Sequence, residues 1–242
     1  MKHHFTVVAI SFCVISVAEP CNAFAKDKKI NAPSIKQLIA ELANQNTPPA
    51  ITRGGQAAQF PPDYDWVEQA RVISVWEQIH NRTEETLPDL VAHVDDKEYC
   101  VSFPHYSTGA WKNHSVGNIC WYILSANVDV YQRPTTHGFC HSIPRNSSRS
   151  DSSNLVREWW DPRKEMALAE LQLEAISVAR KEHPMRKEVP NGGPISDKRR
   201  KEDIERLDKL TAKIKDTGKP ISVKALDLRE TTFENYPWPP KK

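Results

Sequence analysis

Ile35, Leu38, Ile39 and Leu42 stand three and four residues apart, the spacing that gathers side chains on one helix face, and they predict an amphipathic helix over residues 33–45. Asn31 is placed to cap it and Pro33 to fill its first turn, where a missing N–H costs nothing. Residues 46–62 carry two Pro-Pro pairs and Gly54-Gly55, a composition that excludes a regular element. Asp63 or Asp65 caps the next expected helix, whose stripe of Trp66, Ala70, Ile73, Trp76 and Ile79 ends near His80. Residues 83–95 repeat the pattern with Leu87, Leu90, Val91 and Val94, Glu84-Glu85 near the start and Pro88 in the first turn. Residues 99–103 alternate weakly and read as a short extended piece, and 104–113 as a loop.

Ser115 then caps a helix over 115–126 built on Val116, Ile119, Cys120, Ile123 and Leu124. Residues 127–153 read as irregular, with five serines in a polar loop over 145–154. The longest periodic stretch follows, over 154–183, carrying Leu155, Trp159, Leu168, Leu171, Ala175 and Ile176. Pro162 within it marks a kink or the start of a second helix, because its ring clashes with the preceding turn. Residues 190–194 (Pro-Asn-Gly-Gly-Pro) break the chain. Ser196 opens a charge-rich helix to about Lys215 with a thin stripe of Ile204, Leu207, Leu210 and Ile214. The end carries a possible short strand over 221–226 and the proline-rich run Tyr236-Pro237-Trp238-Pro239-Pro240.

The first residues follow a different logic. Met1-Lys2-His3-His4 is basic, and residues 5–18 are apolar apart from Thr6, Ser11 and Ser16. Glu19-Pro20 closes that run, and Ala23-Phe24-Ala25 offers small residues where a signal peptidase reads. This layout predicts a cleaved secretory signal over 1–25 and a mature protein in the periplasm or outside the cell. Ala18-Glu19-Pro20 before Cys21 is the wrong context for a lipid anchor. No later stretch is apolar and long enough to span a membrane, so no span is expected in the mature chain. Two bodies follow, a helical domain over 26–190 and a charged helix with its tail over 191–242. The net charge is +2, with basic and acidic residues interspersed, which argues against nucleic acid as a partner.

Leu87-Pro88-Asp89-Leu90-Val91-Ala92-His93-Val94-Asp95-Asp96 resembles the first helix and acidic turn of a HEAT repeat. Val116-Gly117-Asn118-Ile119-Cys120-Trp121-Tyr122-Ile123-Leu124 is similar to its second helix. The resemblance covers less than half of the chain and pairs 33–45 with 65–80 and 83–95 with 115–126. Long loops replace the tight turns of the family. Residues 115–120 and 168–175 also resemble exported bacterial proteins, a likeness that carries no activity. The HEAT likeness implies a helical scaffold that binds protein along an extended surface. The expected fold is therefore mainly α, with irregular HEAT-like hairpins, a long helix and at most minor β.

Chemistry concentrates between Cys100 and His141. His105, His114, His137 and His141 lie there with Cys100, Cys120 and Cys140, the nitrogen and sulfur donors that zinc takes. No Cys-x-x-Cys pair and no His-Glu-x-x-His accompanies them. A metal-dependent enzyme, a hydrolase using His105, His137, Cys140 and His141, is the alternative reading. In an exported protein a Cys100–Cys140 bridge is the expected pairing, because Cys120 sits on an apolar helix face. The Cys140-His141 neighbours point apart and make a poor nucleophile–base pair. No nucleophile elbow, phosphate loop or dinucleotide fingerprint is present, and no cofactor is expected. Glu84-Glu85 and Asp95-Asp96 fit helix-end charges better than an acid–base pair.

Tryptophans offer the better anchors. Trp159 and Trp160 point about 100° apart on a helix, so one enters the core and the other keeps exposed surface. Trp111 in the loop and Trp238 in the tail are further anchors. The sequence thus favours a non-catalytic binding or structural module with Trp111, Trp159 and Trp160 as partner-binding residues. An exposed tryptophan also suits a sugar ring. Asn81, Asn113 and Asn146 head glycosylation acceptor triplets.

Overall fold

The computed structural model describes residues 32–104, 110–131, 143, 152–182, 188–189, 192–194 and 196–222. Its helices are α1 (Ile35–Ala40), α2 (Trp66–Asn81), α3 (Thr83–Ala92), α4 (Val116–Val128), α5 (Ser152–Trp160), α6 (Leu168–Glu182) and α7 (Asp197–Thr217). Six short strands form three antiparallel pairs: β1 (Ala50–Ile51) with β2 (Ala58–Gln59), β3 (Tyr99–Pro104) with β4 (Trp111–Ser115), and β5 (Glu188–Val189) with β6 (Gly192–Pro194). The fold is mainly α with minor β. Among the described residues no helix is long and apolar enough to cross a membrane.

The core is built around α4. Val116, Gly117, Ile119, Cys120, Trp121, Ile123, Leu124 and Val128 are buried and leave only the half-buried stripe of Asn118, Tyr122 and Ala126, and a helix apolar on most of its surface must be covered on most sides. α2, α3, α6, β3 and β4 all pack against it. Its start is fixed twice. Ser115 and Asn118 form a reciprocal capping box, with Asn118 N donating to Ser115 Oγ at 3.2 Å. The turn after α3 then accepts two of the helix's free amides, Val116 N to Glu98 O at 2.9 Å and Gly117 N to Asp96 O at 3.0 Å. A Cβ at residue 117 would stand 2.5 Å from Val94 O, so only glycine allows this approach.

α2 keeps its expected cap and end, whereas α1 and α3 differ from expectation at theirs. α1 begins after Ser34, whose side chain caps it with Gln37 in a capping box, so Pro33 precedes the cap instead of filling the first turn. It stops at Ala40 because the chain then turns to β3, where Asn44 N donates to Tyr99 O and Asn44 Nδ2 to Cys100 O, each at 2.8 Å. Asp65 caps α2, its Oδ1 accepting Val67 N at 2.8 Å. Only Arg82 separates α2 from α3, so Pro88 lies inside α3, past its first turn. The lost backbone bond is tolerated there because Leu87, Leu90 and Val91 are buried.

Two further corrections come from pairing and from proline. Trp111 to Asn113, expected in a loop, belong to β4, because β3 offers its hydrogen-bonding edge with Phe103 opposite Lys112 and Ser102 opposite Asn113. The stretch 154–183 is two helices, not one long one. Asp161–Arg163 makes a 3₁₀ turn around Pro162, and Arg163 Nη1 takes the Trp159 carbonyl at 2.6 Å. Among the described residues the longest helix is α7, with 21 residues, capped by Ser196 and ended by Gly218 at φ 64°. Its stripe of Leu207 and Ile214, with Ile204 and Leu210 half-buried, packs on α6.

Candidate binding surface

Residues 46–62 hold more order than their composition suggests. Thr52 and Ala57 close a tight loop through Thr52 N to Ala57 O at 3.0 Å and Ala57 N to Thr52 Oγ1 at 2.9 Å. Gly54 and Gly55 turn it with φ of 83° and 73°, a backbone that favours glycine. Gly55 O then accepts Trp111 N at 2.6 Å, which presses the β1–β2 loop onto the start of β4.

The chain leaves β2 at Phe60, whose ring meets three others. It lies 5.6 Å from Trp111, 4.8 Å from Tyr64 and 4.7 Å from Trp66, and Tyr64 lies 5.0 Å from Trp66. Edge-on and tilted contacts of this kind stabilise beyond their buried area. Trp111 and Tyr64 form the buried floor; Phe60 and Trp66 are half-buried. Val67, next to Trp66, is 72% exposed. The result is an apolar edge at the start of α2, flanked in sequence by the exposed Asp63 and Asp65.

A line of polar contacts supports that floor. Tyr64 OH donates to Gln69 Oε1 and lies 2.8 Å from Tyr99 OH, itself 2.9 Å from Ser102 Oγ. Ser102 Oγ donates to Asn113 Oδ1 at 2.6 Å, and Asn113 Nδ2 to Pro49 O at 3.0 Å. Burial pushes both phenols above their ordinary range, with Tyr99 adding to the rise at Tyr64. Both stay neutral at physiological pH and serve to position the strands. Asn46 holds the helix entry, donating to Asp65 O at 2.8 Å and accepting Asp65 N at 2.7 Å.

The expected anchors divide. Trp111 is 6% and Trp160 8% exposed, so both are core residues with little surface for a partner. The Trp111 ring is consumed by the Phe60 cluster, and Trp160 belongs to the main core, which α5 joins by packing on α3. Trp159 is half-buried beside Leu155, which is 48% exposed, and the Arg163 guanidinium lies 5.2 Å from its ring centroid. That guanidinium is itself held by Glu174 at 3.1 Å, so Trp159 is partly roofed by a fixed cation. Trp238 lies outside the described residues.

The chemistry-bearing residues are placed as follows. Cys100 and Cys120 are buried free thiols; burial raises Cys100 well above its ordinary range and Cys120 to about 12. His114 is buried and stacked on Phe103 at 4.1 Å. His105, His137, Cys140 and His141, the ligands of the alternative metal reading, lie outside the described residues, as does the bridge expected at Cys140. The expected signal over 1–25, the acceptor Asn146 and the run 236–240 lie outside them too. Among the described residues no three His, Cys, Asp or Glu side chains are grouped to hold a metal ion. Asp95 pairs with Arg157 at 2.8 Å and Asp96 Oδ1 accepts Glu98 N at 2.9 Å. Both act in the turn that receives α4.

Of Phe60, Trp66 and Val67, only Trp66 was legible in the sequence, as the first member of a helical stripe; Phe60 sits in a proline-rich stretch and Val67 off that stripe, where periodicity gives no signal. Comparison with protein-family models, curated proteins and solved structures finds no match to this chain.

Proposed function

We propose that this protein is an exported, non-catalytic binding module: a scaffold of HEAT-like helical hairpins that offers the Phe60, Trp66 and Val67 edge to a protein partner. One observation carries the reading. The most exposed large apolar side chain among the described residues, Val67, follows Trp66 at the start of α2, and the half-buried Trp66 ring packs on Phe60 over a hydrogen-bonded floor. Rigid aromatic anchors beside exposed apolar surface are what protein interfaces concentrate. The rings meet at steep angles and present no broad flat face, which favours a protein over a sugar. The packing of α1 on α2 and of α3 on α4 supports the hairpin reading. The basic start, apolar run and Ala23-Phe24-Ala25 site support export to the periplasm or the cell exterior.

The test uses a photo-reactive benzophenone residue at position 67 of the full chain, expressed in its own host. A discrete protein adduct is expected, and it should vanish when Phe60→Ser is added. An adduct that persists with Phe60→Ser, or none at all, rejects the surface. N-terminal sequencing of exported protein should begin at Lys26; retention of the first residues on a cytoplasmic product rejects export.

A further inference from the structure

Gln172 lies on α6 and is wholly buried. Its Nε2 donates to Asn127 O at 2.8 Å, at the end of α4, and to Ile221 O at 3.0 Å. Its Oε1 accepts Ile221 N at 2.8 Å. The amide therefore pairs with both main-chain groups of one residue, as a neighbouring strand would. The Ile221 side chain packs on the core beside it.

Among the described residues, α7 is buried along one narrow side only. Of the 21 residues of α7 only Asp203, Leu207 and Ile214 are buried. α6 is the helix on which α7 packs most. An ion pair between them, Arg180 with Asp208 at 2.9 Å, joins two largely exposed side chains and adds little. An element with few buried contacts opens at lower free energy than the core.

We propose that α7 and the segment through Ser222 form a latched arm that opens as a unit from α6, with Gln172 as the catch. Opening would bare the α6 stripe and free the Gln172 amide together with the Asn127 carbonyl. These groups recognise an extended main chain carrying an aliphatic side chain, the chemistry that Ile221 supplies in the closed state. Gln172 is thus both the lock of the arm and a receptor for a peptide strand. The proposal stands independently of the Phe60 edge.

Hydrogen exchange on the full chain, read by mass spectrometry, tests it. In the unaltered protein α7 and Ile221 should exchange together and faster than α2, α3 and α4. Gln172→Leu strands both main-chain groups of Ile221 and the Asn127 carbonyl in the last turn of α4; it should speed exchange at Ile221 and in α7 by roughly tenfold or more, leaving α2, α3 and α4 before that last turn unchanged. Leu207→Ala, which weakens the other attachment, should speed the same peptides. Exchange of α7 in step with α4 in the unaltered chain overturns the proposal. So does a Gln172→Leu effect spread equally over α4, or one confined to Ile221 with α7 untouched.

Discussion

Adjacent tryptophans show how far one residue's environment outweighs its identity. Trp160 has 8% of its surface exposed and packs in the main core, whereas Trp159 keeps an open edge under Arg163. Trp160→Ala should cost about 3–5 kcal/mol in urea unfolding, the range for emptying a buried aromatic site. Trp159→Ala forfeits partial burial and a cation–π contact and should cost about 1–2 kcal/mol. Equal losses would place both rings in the core. Helix geometry alone sets the pair about 100° apart; which member turns inward depends on α3, against which α5 packs.

At the scale of elements, the joints decide stability. α4 meets the turn after α3 through Gly117, and Gly117→Ala sets a methyl 2.5 Å from Val94 O and 2.8 Å from Asp96 O. Helix propensity favours alanine by about 1 kcal/mol. Displacing two carbonyls that cannot swing aside outweighs it, so a net loss of about 1–3 kcal/mol is expected in urea unfolding. Between α1 and α2 the joint is electrostatic. Arg71 bonds Glu68 at 2.7 Å and reaches Glu41 O at 2.8 Å, at the end of α1. The Arg71 guanidinium holds the Glu68 carboxyl below its ordinary value of 4.5, with Gln45 N adding to the effect. A depressed carboxyl stabilises the fold above its unfolded pKa and loses that contribution as pH falls through the folded one. The urea midpoint should therefore drop on acidification below about pH 4.5, and Glu68→Gln should make that drop shallower. An unchanged acid limb would remove Glu68 from this role.

Over the whole molecule, Cys100 and Cys120 report on the integrity of the core, since both thiols lie at its centre. Cys120 ionises near 9.0 when unfolded and near 12 in the fold, because burial penalises the thiolate. The fold thus holds that proton more tightly. Its contribution is complete below pH 9.0 and declines as the pH rises towards 12, and Cys120→Ala should flatten the decline in the alkaline urea midpoint. Labelling by a thiol reagent at neutral pH should follow global unfolding of α2 to α4. Rapid labelling of the folded protein at Cys120 would contradict that burial.

Periodicity alone placed most helices, because a helix that must bury one face writes that need into every third and fourth residue, as Leu87, Leu90 and Val91 do. The caps at Asp65, Ser115 and Ser196 were equally plain, since their side-chain oxygens satisfy amides a few residues away. Tertiary structure alone decided the rest. β4 needed β3 to pair with, Trp111 needed Phe60 to bury it, and the Gln172 catch needed a residue 49 positions further along the chain. Such contacts leave no local trace, because they are fixed by what a neighbouring element leaves unsatisfied.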